Sequence, residues 1–238
     1  MHMIDRPFAR DILAAGTLDA ARLVLGALLI RGGGPGRRVG RIVEVEAYVG
    51  HDDMASHAHL GRTKRNAVMF GPPGVAYVYL VYGMYHCLNI VTEGSGRPAA
   101  LLVRAVEPVE GEVAMRLARV RSAQARPNRN AAADADRTRR QIERLPISRL
   151  ASGPGLVCAA FSIDRSDNGI DMCDGNSDLR IEAAPLVDGP LAVATGPRIG
   201  IGYAPEPWLS QPWRYFVAGS AAVSGRRGNA TGRREVTE

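Results

Sequence analysis

The sequence predicts an α+β fold, a single domain built on a curved, mainly antiparallel β-sheet flanked by helices and carrying a prominent hairpin. Three observations point there. Strand-like stretches cluster as neighbours in the middle of the chain and do not alternate regularly with helices, which disfavours a doubly wound parallel sheet. Residues 75–91, VAYVYLVYGMYHCLNIV, read as two strands around a turn at Tyr82-Gly83. The glycine-rich chain has no GxGxxG after a strand and no P-loop, so nucleotide-cofactor folds are disfavoured. With 238 residues, 46% of them hydrophobic, it is long enough to bury a real core. The expected domain covers 1–223, and the Arg- and Gly-rich stretch 224–238 reads as a disordered basic tail.

The elements follow in order. Residues 17–30 read as a helix, with Thr17 as N-cap and Leu18, Ala21, Leu25 and Leu28 at helical spacing. A Gly-rich turn over 31–38 leads into the strand RIVEVEAYV, which ends at Gly50. Residues 51–74 are polar and loop-like, the hairpin follows, and 99–106 (AALLVRAV) form another apolar strand. A helix is expected from Glu107 to about Arg121, then a mobile or irregularly helical excursion over 122–140. A short helix is expected at Gly155–Phe161. Two late strands are expected at 190–203 and 213–218.

Charge and cysteine content narrow the function. The net charge of +6 suits a polyanionic partner, though it also suits a merely basic protein. Cys87, Cys158 and Cys173 are odd in number, widely spaced and without a CxxC, which argues for a reducing, cytoplasmic setting and against a zinc or iron–sulfur site. No metal and no cofactor is expected. No apolar run reaches the roughly 18 residues of a membrane span. Nothing indicates an obligate oligomer, so a monomer is expected. Asn229-Ala230-Thr231 fits a glycosylation sequon by chance.

Side chains alternate along a strand. In residues 42–49 one face is Val43, Val45, Ala47 and Val49; the other is Ile42, Glu44, Glu46 and Tyr48. That second face is either a solvent side or a site with two carboxylates and an aromatic in a row. In 76–81, Tyr77, Tyr79 and Val81 oppose Val78, Leu80 and Tyr82, both faces being apolar or aromatic, so this strand should be interior. Tyr82 at the hairpin tip is either folded back on the sheet or a wedge of the kind pushed between base steps. Tyrosines, a carboxylate and the amide of Asn89 suit a pocket for a flat heteroaromatic ring.

At this point the segments RIVEVEAYVG, DDMASHA, GRTKRNAVMF, GVAYVYLVYGMYHCLNIV and LLVRAVEP, with LASGPGLVCAAFSI and RIGIGYAPEPW…WRYFVAGS later, resemble the alkyladenine (3-methyladenine) DNA glycosylase family from about Arg6 to Ser224. No one string is specific; their joint order is. The resemblance implies that Glu46 is the catalytic acid activating a water, with Arg104 beside it. It implies that Tyr48, His57 and Tyr79 wall the base pocket, that Asn89 excludes the 2-amino group of guanine, and that Tyr82 enters the duplex where the base left. It implies a DNA partner containing damaged purines, at the nucleoid, and no helix-hairpin-helix.

On this reading an ionised Glu46 stabilises an oxocarbenium-like sugar, and Arg104 favours the charged form. Glu44 ranks as the rival carboxylate, with a salt bridge to an arginine as its other role. Arg62, Lys64, Arg65, Arg97 and Arg198 are the candidate phosphate contacts. Lys64 is the sole lysine, so a Schiff-base mechanism has almost no amine to use, and a water nucleophile leaving an intact abasic site is expected. The rival readings are a non-catalytic damaged-DNA binder and a nucleoside or RNA N-glycosidase.

Overall fold

A computed structural model describes residues 6–81, 83–125, 131–184 and 191–225, with the backbone alone for 131–134. Two short helices, α1 (Arg10–Ala15) and α2 (Thr17–Val24), lead into β1 (Leu28–Arg31) and the long strand β2 (Arg38–Tyr48). The hairpin is β3 (Ala76–Val81) and β4 (Tyr85–Thr92). After it come β5 (Ala99–Glu110), helices α3 (Glu112–Gln124), α4 (Ala131–Glu143) and α5 (Pro154–Phe161), and the short strands β6 (Leu179–Glu182), β7 (Val193–Gly196) and β8 (Arg214–Val217). The strands form one antiparallel sheet of eight, ordered β3-β4-β5-β2-β1-β6, with β8 paired to both β2 and β7. The predicted architecture is therefore the observed one.

The partner change on β2 shapes the sheet. One edge of β2 pairs with β5 along its whole length. Its other edge pairs with β1 at Arg38–Arg41 and with β8 at Glu44–Glu46. The switch coincides with register irregularities between Ile42 and Glu44 and between Glu44 and Val45. A bulge bends and twists its strand, and here it also breaks the alternation read from sequence. Ile42 joins Val45 and Ala47 in the main core, whereas Val43 packs with Ala105 and Ala222.

The sheet's two faces are covered differently. α1, α2 and α5 pack Leu13, Ala21, Val24, Val157 and Phe161 against Ile42, Val78, Leu88, Ile90 and Leu101. Apart from Ala21, each of these wholly buried side chains stabilises the fold by roughly 1.5–3 kcal/mol. The opposite face of the hairpin, with Tyr77 and Val91, packs with Ala58, Met69 and Ala100 and with the partly buried Val68 and Phe70, mostly from the 51–74 loop. That thinner cover leaves room for a cavity. Gly155 lets α5 approach the hairpin, because a Cβ there would lie 2.7 Å from the Tyr85 ring.

Several local expectations are corrected. The helix expected over 17–30 stops at Val24. Gly26 takes φ +89°, its N–H donates to the Ile42 carbonyl, and Leu28–Ile30 enter the sheet. After Gly26 the run ALLI is apolar at every position and so shows no period that separates strand from helix. Thr17 is not the cap: Gly16 holds that place, and the Thr17 hydroxyl bonds Thr92 and Glu93. β5 continues to Glu110 by pairing with Val39, so α3 begins only at Glu112, after left-handed Gly111. The excursion at 122–140 contains the regular helix α4. Of 190–203 only Val193–Gly196 is strand, and the following PRIGIGY is a loop. β6 was not anticipated. The tail from 226 onward and the side chain of Tyr82 lie outside the described residues. No described helix is long and apolar enough to cross a membrane.

Candidate active site

β2 and β5 carry a cluster of buried charge. Glu44 and Glu46 are wholly buried and Arg104, on β5, is 6% exposed. Arg104 stands between them: Nε donates to Glu44 Oε1 at 3.3 Å, and Nη1 lies 3.2 Å from Glu46 Oε1. Its Nη2 donates to Ser224 Oγ at 3.1 Å. The two carboxylates are otherwise held quite differently. Glu44 accepts from Arg214 Nη1 at 3.1 Å and from the Ser224 N–H at 2.6 Å, so it is saturated by structural donors. Glu46 accepts from the Ile199 N–H at 2.6 Å and from the Tyr48 hydroxyl at 3.1 Å.

Tyr48, Arg104 and Ile199 all line a cavity of about 440 Å³, which puts Glu46 directly behind its floor. Burial pushes the Glu46 carboxyl above its ordinary range. Arg104, the Ile199 N–H and Tyr48 pull the other way, and Glu44 adds to the rise. The sequence reading had Arg104 favouring the charged form; that pull exists, but loss of hydration outweighs it.

The walls of the cavity are aromatic. Tyr77 and Tyr79 stack with ring centroids 5.2 Å apart, and His57 meets Tyr79 edge-on at 4.5 Å. His57 Nδ1 lies 3.2 Å from the Tyr77 hydroxyl. Burial, followed by the charges of Arg65 and His59, holds the His57 imidazole down to about 4, so it is neutral near pH 7. Tyr79 is raised by burial. Asn89 is 4% exposed and tethered, its amide donating to the Tyr77 carbonyl at 3.1 Å. Glu46, Tyr48, His57, Tyr79, Asn89 and Arg104, chosen from sequence, thus converge on one cavity.

The basic candidates separate. Arg62, Lys64 and Arg97 are exposed, Arg97 pairing with Glu93. Arg65 is exposed at the rim, 5.2 Å from the Tyr79 centroid. Arg198 is not a surface arginine. Its side chain is wholly buried, paired with Asp53 at 2.5 Å, and its guanidinium lies 4.7 Å from the Tyr48 ring centroid and 5.0 Å from that of Trp213. It props the stacking face of Tyr48 and offers nothing to a phosphate.

Asp53, Tyr77 and the Ile199 N–H were not singled out from sequence. Tyr77 shares a strand face with Tyr79, a signal that alternation contained. Asp53 and Ile199 had none, because both depend on a contact across more than 140 residues. Among the described residues no group of three His, Cys, Asp or Glu side chains is placed to hold a metal ion.

A buried carboxylate behind an aromatic cavity, on a basic protein, is compatible with an enzyme that accepts a flat heteroaromatic base. Comparison with known proteins gives the family. Residues 11–221 match the model of the methylpurine-DNA glycosylase (MPG) family. A protein of Methanocella arvoryzae named "Putative 3-methyladenine DNA glycosylase" is 46% identical over 217 residues, covering 91% of this chain and 95% of its own. Proteins of the same name from Myxococcus xanthus (43% identical; 93% and 94% covered) and Bacillus cereus (39%; 87% and 94%) are also similar. The chain belongs to the methylpurine-DNA glycosylase family: it is a DNA glycosylase, a hydrolase of DNA repair that acts on DNA.

Proposed function

We propose that this glycosylase is monofunctional, that it rotates a damaged purine into the 440 Å³ cavity, and that Glu46 directs a water at the sugar anomeric carbon. The observation that carries the reading is the contrast between the two carboxylates on β2. Glu44 shares Arg104 with Glu46 and is otherwise bonded by Arg214 and the Ser224 N–H, which do not line the cavity. Glu46 is bonded only by groups that themselves line the cavity. N-glycosidic cleavage passes through a sugar with oxocarbenium character, which a nearby anion stabilises, and proton abstraction from water completes the hydrolysis. Arg104 keeps the carboxylate fixed and partly offsets its burial.

The walls fit a purine that is cationic before it leaves. Tyr48, His57 and Tyr79 present π faces and edges, worth roughly 0.5–2 kcal/mol for a cation, and a neutral His57 adds no repulsion. N3- and N7-alkylpurines meet this description and depart with little help. Hypoxanthine and ethenoadenine are the neutral members of the proposed range. Asn89, tethered to the Tyr77 carbonyl, is proposed to disfavour the 2-amino group of neutral guanine, a cost that cationic 7-methylguanine offsets by its readiness to leave. Tyr82 is proposed to fill the stack, and Arg62, Lys64, Arg65 and Arg97 to meet phosphates. No lysine lines the cavity, which supports water as the nucleophile.

The test is base release from duplexes carrying 7-methylguanine or hypoxanthine, by wild type and Glu46→Gln. Release by wild type alone, leaving alkali-labile abasic sites, is expected. Equal release by both proteins, or strand cleavage without alkali, overturns the mechanism.

A further inference from the structure

A second groove, of about 430 Å³, lies on the other side of the hairpin, between the β3–β4 turn, α3 and α5. Leu80 lines both this groove and the base cavity, so the end of β3 is a partition with one hollow on each side. Met84, 51% exposed, stands at its rim.

The charge of this groove is unbalanced. Arg121, exposed on α3, lines it beside Ser122, and Ser162 lines the facing wall. Arg38 reaches the same wall, its Nη1 donating to Ser162 Oγ at 2.9 Å, which leaves the hydroxyl proton free to donate elsewhere. Arg38 Nε is buried without a hydrogen-bond partner. Burial holds the Arg38 guanidinium below its ordinary range, with the charges of Arg31 and Arg121 next in importance. Arg31 is balanced by Asp167 and Asp178. Among the described residues neither Arg38 nor Arg121 has a carboxylate within ion-pair distance. The acid lining the groove, Asp164, accepts from the N–H and hydroxyl of Ser166, which hold its carboxyl below the ordinary range, so one anion stands at the groove against the two arginines.

An exposed arginine lining the groove and a second, half-buried one that bonds its Ser162 wall, neither held in an ion pair among the described residues, make with two hydroxyls a receptor for an oxyanion. The partner with such groups at this position is the DNA itself, which carries one phosphate per roughly 1.7 Å of helix axis. Leu80 lines both hollows, so the groove adjoins the cavity that the damaged base is proposed to enter. We propose that this second groove holds a backbone phosphate of the bound DNA, contacted by Arg121 and Arg38 with the hydroxyls of Ser162 and Ser122. The site rests on DNA as substrate, but not on the assignment of Glu46.

The test measures affinity for an undamaged 25-base-pair duplex between 50 and 200 mM NaCl, for wild type and Arg121→Gln, alongside single-turnover release of hypoxanthine at saturating enzyme. Arg121 is exposed on a helix surface, so the variant should fold as wild type does. Loss of one phosphate contact flattens the slope of log affinity against log salt by about 0.9. Over that fourfold salt range the affinity deficit should therefore be about 3-fold larger at 50 than at 200 mM. The saturated release rate should stay within about 2-fold of wild type. An unchanged slope with unchanged affinity overturns the proposal. So does an affinity loss that does not depend on salt. If wild type releases no base, the mechanism proposed for the first cavity fails while the slope comparison still decides this one.

Discussion

The two hollows either side of Leu80 have nearly the same volume, about 440 and 430 Å³, yet they are built for opposite tasks. The first hides its charge. A carboxylate sits behind a floor of Tyr48, Arg104 and Ile199, the walls are aromatic rings, and every buried ion is paired. The second displays its charge, with Arg121 exposed and Arg38 half-buried without a carboxylate. Burial is what makes the difference. Desolvation strengthens a fixed carboxylate's field on a developing cation and makes it chemically useful. An exposed arginine is screened and serves to attract a polyanion, without sequence or base selectivity.

The contrast breaks most visibly at Glu46. Replacing it with Gln should lower single-turnover release of 7-methylguanine by about 10²–10⁴-fold, while affinity for undamaged duplex stays near wild type. A loss under 3-fold would make the first hollow a binding site only. The same variant tests the cost of the buried charge. The folded carboxyl is raised above its unfolded value, so its contribution to stability is complete below the unfolded pKa and is lost as pH rises through the folded one. Glu46→Gln should therefore gain thermal stability over wild type at pH 7 and lose that advantage near pH 4. A lower Tm at pH 7 than wild type would contradict this.

A smaller effect sharpens the role of the rings. Tyr79→Leu should slow release of a cationic alkylpurine about 2- to 30-fold, the equivalent of 0.5–2 kcal/mol, and release of hypoxanthine less. Equal losses on both bases would mean that Tyr79 supplies only shape.

The pH profile separates the two acids on β2. Activity should fall on the acid side with a midpoint above the roughly 4.3 of a free glutamate, because burial raises Glu46 against the pull of Arg104, Tyr48 and the Ile199 N–H. Removing the Glu44 charge by Glu44→Gln should move that midpoint down, since Glu44 adds to the rise and competes for Arg104. Cys87, the remaining ionisable neighbour, is pushed up to about 11 and stays neutral throughout. His57→Gln should leave the midpoint in place if the limb belongs to Glu46. A limb that disappears in His57→Gln would reassign it.

Much of the site was readable because its signals are local. The alternation in 42–48 brought Glu44 and Glu46 together on one strand, and the tyrosine spacing in 76–81 put Tyr77 and Tyr79 on one face, where they stack. Arg104 and His57 came from short strings in a specific order, which the family comparison bears out as membership, while their roles rest on proposal. The local readings failed where a distant strand competed with a nearby helix. Residues 28–31 are helical by neighbourhood but β by pairing with Arg38–Arg41 and Leu179–Glu182. Likewise 107–110 joined β5 because Val39 and Gly40 were there to pair.

The antiparallel sheet, the hairpin, the acids and rings that meet at the cavity, and the family were all legible along the chain. Those follow from periodicity and residue chemistry, which act within a few positions. Which carboxylate is held by groups lining the cavity and which by groups away from it depended on long-range packing, because Arg214 and Ser224 reach Glu44 across 170 and 180 residues. The same packing buries Arg198 against Tyr48 and brings Arg38 to the Ser162 wall of the groove that Arg121 lines, since whether a charge is paired or open depends on what the rest of the chain places against it.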